Sequence, residues 1–176
     1  AFALPGGKVF ITRGLLSRMD NEAQLAGVLG HEIGHVTAQH IGQRMAQAMI
    51  LQGVAIGLGI AGEATDEDWL RVLGVGTQVG GSVYLLQYGR SHEYQSDELG
   101  LRYMTRLGYN PVGQIQVMEI LSSASGEGGR PPEFLSTHPY PENRIDRLEE
   151  LIQQKYPGYD QPGKYVFAQD RFKREM

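Results

Sequence analysis

Asn21-Glu22-Ala23-Gln24-Leu25-Ala26-Gly27-Val28-Leu29-Gly30-His31-Glu32-Ile33-Gly34-His35 is the stretch that decides the fold. Leu25, Val28, Leu29 and Ile33, continued by Val36, recur at spacings of three and four and predict one buried stripe of an α-helix. Ser17 or Asp20 can cap it, and Glu22 adds negative charge to its first turn. On such a helix His31 and His35 stand one turn apart, one nearly above the other. Both imidazoles can then reach one metal ion. Glu32 leaves the backbone on a neighbouring bearing, where its carboxylate can face a water molecule beside that ion. HExxH on a helix therefore offers two zinc ligands and a general base, the arrangement a metalloprotease needs. The pattern has only three fixed positions, and two histidines on a helix also serve as packing residues, so the rest of the chain must supply a third ligand.

The small residues around the motif favour a helix in the middle of a core. Gly27, Gly30 and Gly34 cost roughly 1 kcal/mol each relative to alanine in a helix interior, which invites a packing or site explanation. His40 lies nine residues after His31, about half a turn away in azimuth if the helix runs on unbroken. It is read as a packing or surface residue on another face, not as a ligand. The longer signature HExxHxxGxxH would need glycine at 38 and histidine at 41, where this chain has Ala38 and Ile41.

Three segments can supply the third ligand. Glu63 and Glu67 lie in a polar patch read as a solvated turn, Glu93 and Asp97 in a helical stretch from Ser91 to Leu99, and His138 in the loop Ser136-Thr137-His138-Pro139. Glu93 is favoured, because Glu93 and Asp97 share a helix face. One carboxylate can bind the metal and the other can accept the second N–H of a ligand histidine. His92 sits about 100° away from Glu93 around that helix and is a weaker alternative.

The segment Asn21–His35, then Glu93-Tyr94-Gln95-Ser96-Asp97, then Ser136-Thr137-His138-Pro139 with Arg144, together resemble the M48 family of zinc metallopeptidases over roughly residues 1–150. The resemblance implies His31, His35 and Glu93 as zinc ligands, Glu32 as general base and Asp97 as a supporting acid. It places His138 and Arg144 in the same cleft. Two roles stay open for His138: a donor to the oxyanion, or a fourth zinc ligand that closes the resting site. Arg144 is expected to hold a carboxylate or the developing oxyanion. The expected fold class is α+β: a mainly helical, zincin-like metallopeptidase domain with a small β-hairpin beside the active-site helix. The expected function is endopeptidase cleavage of unfolded or misfolded proteins, with a latched zinc-binding chaperone or adaptor as the alternative.

Around this centre, Ala1–Leu4 and Lys8–Thr12 flank the turn signal Pro5-Gly6-Gly7 and read as a hairpin. Strand 8–12 is a candidate edge for pairing with an extended peptide substrate. Met45–Gly62 and Val72–Leu86 are apolar and rich in small residues, but glutamines keep their apolar runs below the roughly 20 residues of a spanning helix. They are read as bundle helices packed on each other, with faces able to touch a membrane surface. A helix is expected from Ile145 to Gln154, a short strand at Lys164–Phe167 and a charged tail from Asp170. The net charge of −4 and the lack of a basic stripe argue against nucleic acid as a partner. Absence of cysteine removes disulfides and thiolate ligands. Residues 1–176 read as one catalytic domain. Ala1-Phe2-Ala3 opens where a family member would already be inside the fold, so a preceding start, with any leader or lipidated cysteine, is expected to be missing. The expected location is extracytoplasmic: the bacterial periplasm, or a membrane to which a missing N-terminal segment anchors the chain.

Overall fold

The computed structural model describes residues 1–4, 6–65, 89–126, 138 and 143–175, with no side-chain description at 55, 57–59, 61–65, 125 and 126. Among these residues, seven helices form the bulk of the structure, and a small antiparallel hairpin of β1 (Phe2–Ala3) and β2 (Val9–Phe10) packs beside them. Phe2 pairs with Phe10 and Ala3 with Val9. Gly6 and Gly7 take φ of +89° and +83°, the left-handed conformation that closes this turn at little steric cost. The strands are shorter than expected because Thr12 serves the next element. Its hydroxyl accepts the Leu15 N–H at 3.3 Å and caps α1 (Arg13–Leu16).

The motif helix is α2 (Glu22–Thr37). Its cap is neither Ser17 nor Asp20 but Asn21, whose Oδ1 accepts the Gln24 N–H at 3.0 Å. Gln24 Oε1 reaches back to accept the Asp20 N–H at 2.7 Å. Two otherwise orphaned donors are thus satisfied reciprocally. Ser17 instead ends α1.

The buried face of α2 also differs from the apolar stripe. Of that stripe Val28 is buried as expected, but Ile33 is exposed and Leu25, Leu29 and Val36 are half-buried, whereas Gly27, Gly30, His31, Glu32, Gly34 and His35 are buried. Backbones, not large side chains, cover that face. A Cβ on Gly30 would sit 3.0 Å from the Gly100 carbonyl oxygen, and one on Gly34 3.0 Å from Ser96 Cα. Both neighbours belong to α4 (Arg90–Arg106). On Gly27 a Cβ would meet Gln114 Cα at 3.0 Å, in α5 (Val112–Gly126). The glycines bring α4 and α5 against α2 closely enough for the histidine face to become the centre of the molecule.

Helix α3 (His40–Thr65) starts after a sharp reversal: Ala38 ends α2, and Gln39 takes φ of +57°. It contains the expected 45–62 stretch. Its Met45, Met49, Ile50, Ile56 and Ile60 are exposed. The expected partner helix at 72–86 lies outside the described residues, as do Glu67 and the 127–137 loop. Among the described residues no helix is long and apolar enough to cross a membrane.

Helix α6 (Arg144–Lys155) matches the expected 145–154 helix and buries Leu148, Leu151 and Ile152 with Leu101 and Met104 of α4. The Lys164–Phe167 strand reduces to a single parallel bridge between Val166 and Tyr109. The charged tail folds as α7 (Gln169–Glu175), and its Phe172 enters a core with Leu15, Met19, Val28 and Leu121. Arg171 pairs with Glu22, tying α7 to the start of α2. A groove of about 410 Å³ opens between α2, α4 and α7, lined chiefly by Leu25, Leu29, Ile33, Tyr103, Leu107 and Phe172. By helical azimuth it lies behind α2, away from the histidines.

Candidate metal centre

Two elements build the centre. α2 contributes His31 and His35, whose Nε2 atoms lie 3.1 Å apart. From α4, Glu93 projects between them, with Oε2 3.5 Å from His31 Nε2 and Oε1 3.4 Å from His35 Nε2. The ring of His138 stands 5.3 Å from that of His31 and 5.0 Å from that of His35, centroid to centroid. One donor atom from each of these four buried residues lies within 4.8 Å of the other three. Glu93 Oε1 is buried with no hydrogen bond among the described residues, and two imidazole nitrogens face each other beside it. Buried polar atoms left so are costly unless something binds them. Imidazole and carboxylate donors without a thiolate suit a divalent metal ion.

A layer of polar side chains fixes this set from behind. His31 Nδ1–H donates to Asp97 Oδ1 at 2.9 Å, which points Nε2 into the cluster. Asp97 is held in turn by Arg144, through Nε to Oδ2 at 2.8 Å and Nη2 to Oδ1 at 2.7 Å. The same guanidinium donates Nη1–H to Glu93 Oε2 at 2.8 Å. Of the two roles expected for Arg144, this geometry is that of a group holding carboxylates. Gln114 adds a donor to Asp97 Oδ1 at 3.1 Å.

The electrostatics follow from these contacts. Burial alone would raise the Glu93 pKa, yet His31 and His35 hold it well below the usual carboxylate range. Burial likewise works against ionised Asp97, and Arg144 with His31 brings its pKa down. Burial opposes a charge on His31, but Asp97 and Glu93 outweigh it and push its pKa up to about 9. His35 is driven down to about 3, chiefly by burial, and His138 well below its usual value for the same reason.

Glu32 is fully buried on α2, with Oε1 3.7 Å from His138 Nε2. Neither carboxylate oxygen makes a hydrogen bond of ordinary geometry among the described residues. Its pKa is raised by burial, against the opposing pull of His31. The arrangement is three or four metal donors with one unligated carboxyl beside them.

Other candidates stand apart. His92 stacks on His40 at 4.3 Å and donates to Gln43 Oε1 at 3.2 Å, outside the four-residue group. Glu63 falls within α3, and its side chain is not described. His40 is buried rather than on the surface, and contacts His35 directly. The reversal at Gln39 turns it back toward the motif, and no glycine or proline at 38–39 announces that break. Gln114 was equally hidden, because nothing local in sequence links it to Asp97.

A model of peptidase family M48 matches residues 1–152. The β-barrel assembly-enhancing protease of Escherichia coli (strain K12) is 32% identical over 161 residues, covering 89% of this chain and 33% of its own. Mitochondrial metalloendopeptidase OMA1 of Schizosaccharomyces pombe is 31% identical over 156 residues, covering 86% and 43%. Its Bos taurus counterpart is 31% identical over 159 residues, covering 88% and 30%. The chain thus spans less than half the length of each of these relatives.

Proposed function

Because the chain belongs to peptidase family M48, we propose that it is a zinc-dependent endopeptidase acting on extended segments of unfolded or misfolded proteins. The observation that carries this is the placement of Glu32 beside the His31, His35, Glu93 and His138 cluster. The spacing of the first three donors suits a tetrahedral ion of zinc's size: ligands about 2.0–2.1 Å from such an ion lie roughly 3.3 Å from one another. The separations here are 3.1, 3.4 and 3.5 Å. When bound, zinc supplies Lewis acidity toward the scissile carbonyl and a water molecule.

The remaining work falls to this chain's side chains. Glu32 accepts the proton of the attacking water and returns it to the leaving amine. A carboxylate whose pKa is raised by burial suits that exchange. Asp97 holds His31 with its lone pair inward, and Arg144 fixes Asp97 and Glu93. Strand β2 offers an edge to substrate in extended form, with Phe10 exposed on it.

The test is Glu32→Gln. It should keep near-stoichiometric zinc and lose cleavage of an unfolded protein, since the ligands remain and the base does not. Activity within a few fold of the parent would sink the assignment. His35→Ala should lose the metal instead.

A second reading, a latched zinc-binding chaperone or adaptor, is favoured by the inclusion of His138 in the donor cluster. Four protein ligands leave no position for water. His138→Ala separates the roles: activity rises if His138 is mainly a latch, and falls with zinc retained if it donates to the oxyanion.

An extracytoplasmic setting agrees with the names of two relatives, one mitochondrial and one an enhancer of β-barrel assembly, a barrel class that includes outer-membrane proteins. The exposed apolar residues of α3 suit peripheral contact with a membrane.

A further inference from the structure

His35 can present a lone pair at Nε2 only if its proton sits on Nδ1, because a neutral imidazole carries one N–H. That Nδ1–H is buried and needs an acceptor. The atom facing it is His40 Nδ1, at 3.0 Å. His40 can accept there only as the Nε2–H tautomer. Its Nε2 points at Gln95 Oε1, also at 3.0 Å, and an amide oxygen can only accept. Ser96 Oγ, at 3.3 Å, is a longer second contact to His40 Nδ1. The ring is fully buried and is packed on its far side by His92.

We infer that His40 is a positioning residue for the metal centre, fixing His35 as the Nδ1–H tautomer through a relay that ends on Gln95. The inference rests on the metal-centre reading above. The two motif histidines are thereby oriented by different chemistry. His31 leans on a carboxylate, Asp97, which strengthens it as a donor. His35 leans on a neutral ring, which fixes its direction without adding charge. The two ligands are oriented from opposite ends of α2's buried face, one by α4 and one by the first residue of α3. The left-handed Gln39 is what allows a residue five positions after His35 to reach it.

The test compares metal affinity, read by competition with a chelator, and the visible spectrum of the cobalt-loaded full chain. His40→Leu should bind zinc roughly 10–100-fold more weakly, with an altered cobalt spectrum. His40→Asn places an amide where Nδ1 stood and should recover affinity to within a few fold. Gln95 is exposed, so Gln95→Leu is expected to fold. It should weaken zinc a few fold and lose the Nε2–H signature of His40 in a long-range proton–nitrogen spectrum of the metal-loaded protein. His92→Ala touches His40 but not His35 and should leave affinity unchanged. Parental affinity and spectrum in His40→Leu, an Asn variant as weak as Leu, or an Nδ1–H signature for His40 would each overturn the inference. Failure of the metal-centre reading looks different: His35→Ala would then bind zinc as well as the parent.

Discussion

Arg144 sits with two carboxylates on one guanidinium, all three groups buried. Removing one partner of such a set leaves charge stranded in a low-dielectric site, which costs about 3–5 kcal/mol. Arg144→Met should therefore destabilise the metal-free protein by about that amount in urea unfolding at neutral pH, and a loss under 1 kcal/mol would contradict the arrangement. The pH dependence has a fixed sign. Asp97 has a lowered pKa in the folded chain, and Arg144 is the first of the groups that lower it against burial. Its contribution is present above the unfolded aspartate value, near pH 4, and is lost as pH falls through the lowered one. The gap between parent and Arg144→Met should be full above roughly pH 5 and close in acid. Six residues that the structure brings together, His31, Glu32, His35, Glu93, Asp97 and His138, were named from sequence, because HExxH, Glu93 with Asp97, and the His138 loop are local patterns. His40 was not, since its position depends on one residue, Gln39, adopting a left-handed conformation that glutamine does not advertise.

At the level of elements, the glycines of α2 are spacers between backbones. Alanine normally gains up to about 1 kcal/mol over glycine in a helix interior. At Gly30 the new methyl would press on the Gly100 carbonyl at 3.0 Å, in a face with no room to give. Gly30→Ala should therefore destabilise, by about 1–3 kcal/mol. Gly42, in α3, has nothing among the described residues within 4 Å of its would-be Cβ, so Gly42→Ala should be neutral or stabilising. Thermal melts of the two variants, moving in opposite directions, check the idea. Periodicity located α2, the helical readings at 91–99 and 145–154 fall on α4 and α6 although α4 runs on to Arg106, and Pro5-Gly6-Gly7 located the hairpin. The buried stripe went wrong for a physical reason. Hydrophobic spacing finds faces covered by side chains, whereas this helix is covered on its working side by other backbones. The Lys164–Phe167 segment has strand-forming residues but only Tyr109 to pair with, so one bridge is all that forms.

Over the whole molecule, the metal centre and the apolar core are the two faces of α2, and α7 belongs to the second. Phe172 lies beyond the family match at residue 152, yet it is buried against Val28 and Leu121. Phe172→Ala should cost about 3–5 kcal/mol of stability while zinc affinity stays near parental at temperatures where the variant is folded. Parental stability would show that α7 is an ornament on the core. The groove behind α2 carries the last consequence, a pharmacological one. A molecule that acts by seizing a metal ion can seize the metals of unrelated proteins as well. A drug-like compound lodged against Leu29 and Ile33 would lean on the residues that flank His31 and Glu32 in sequence, touching no ligand. Its potency would be indifferent to added zinc and to substrate concentration, and its selectivity would come from the shape of an apolar wall.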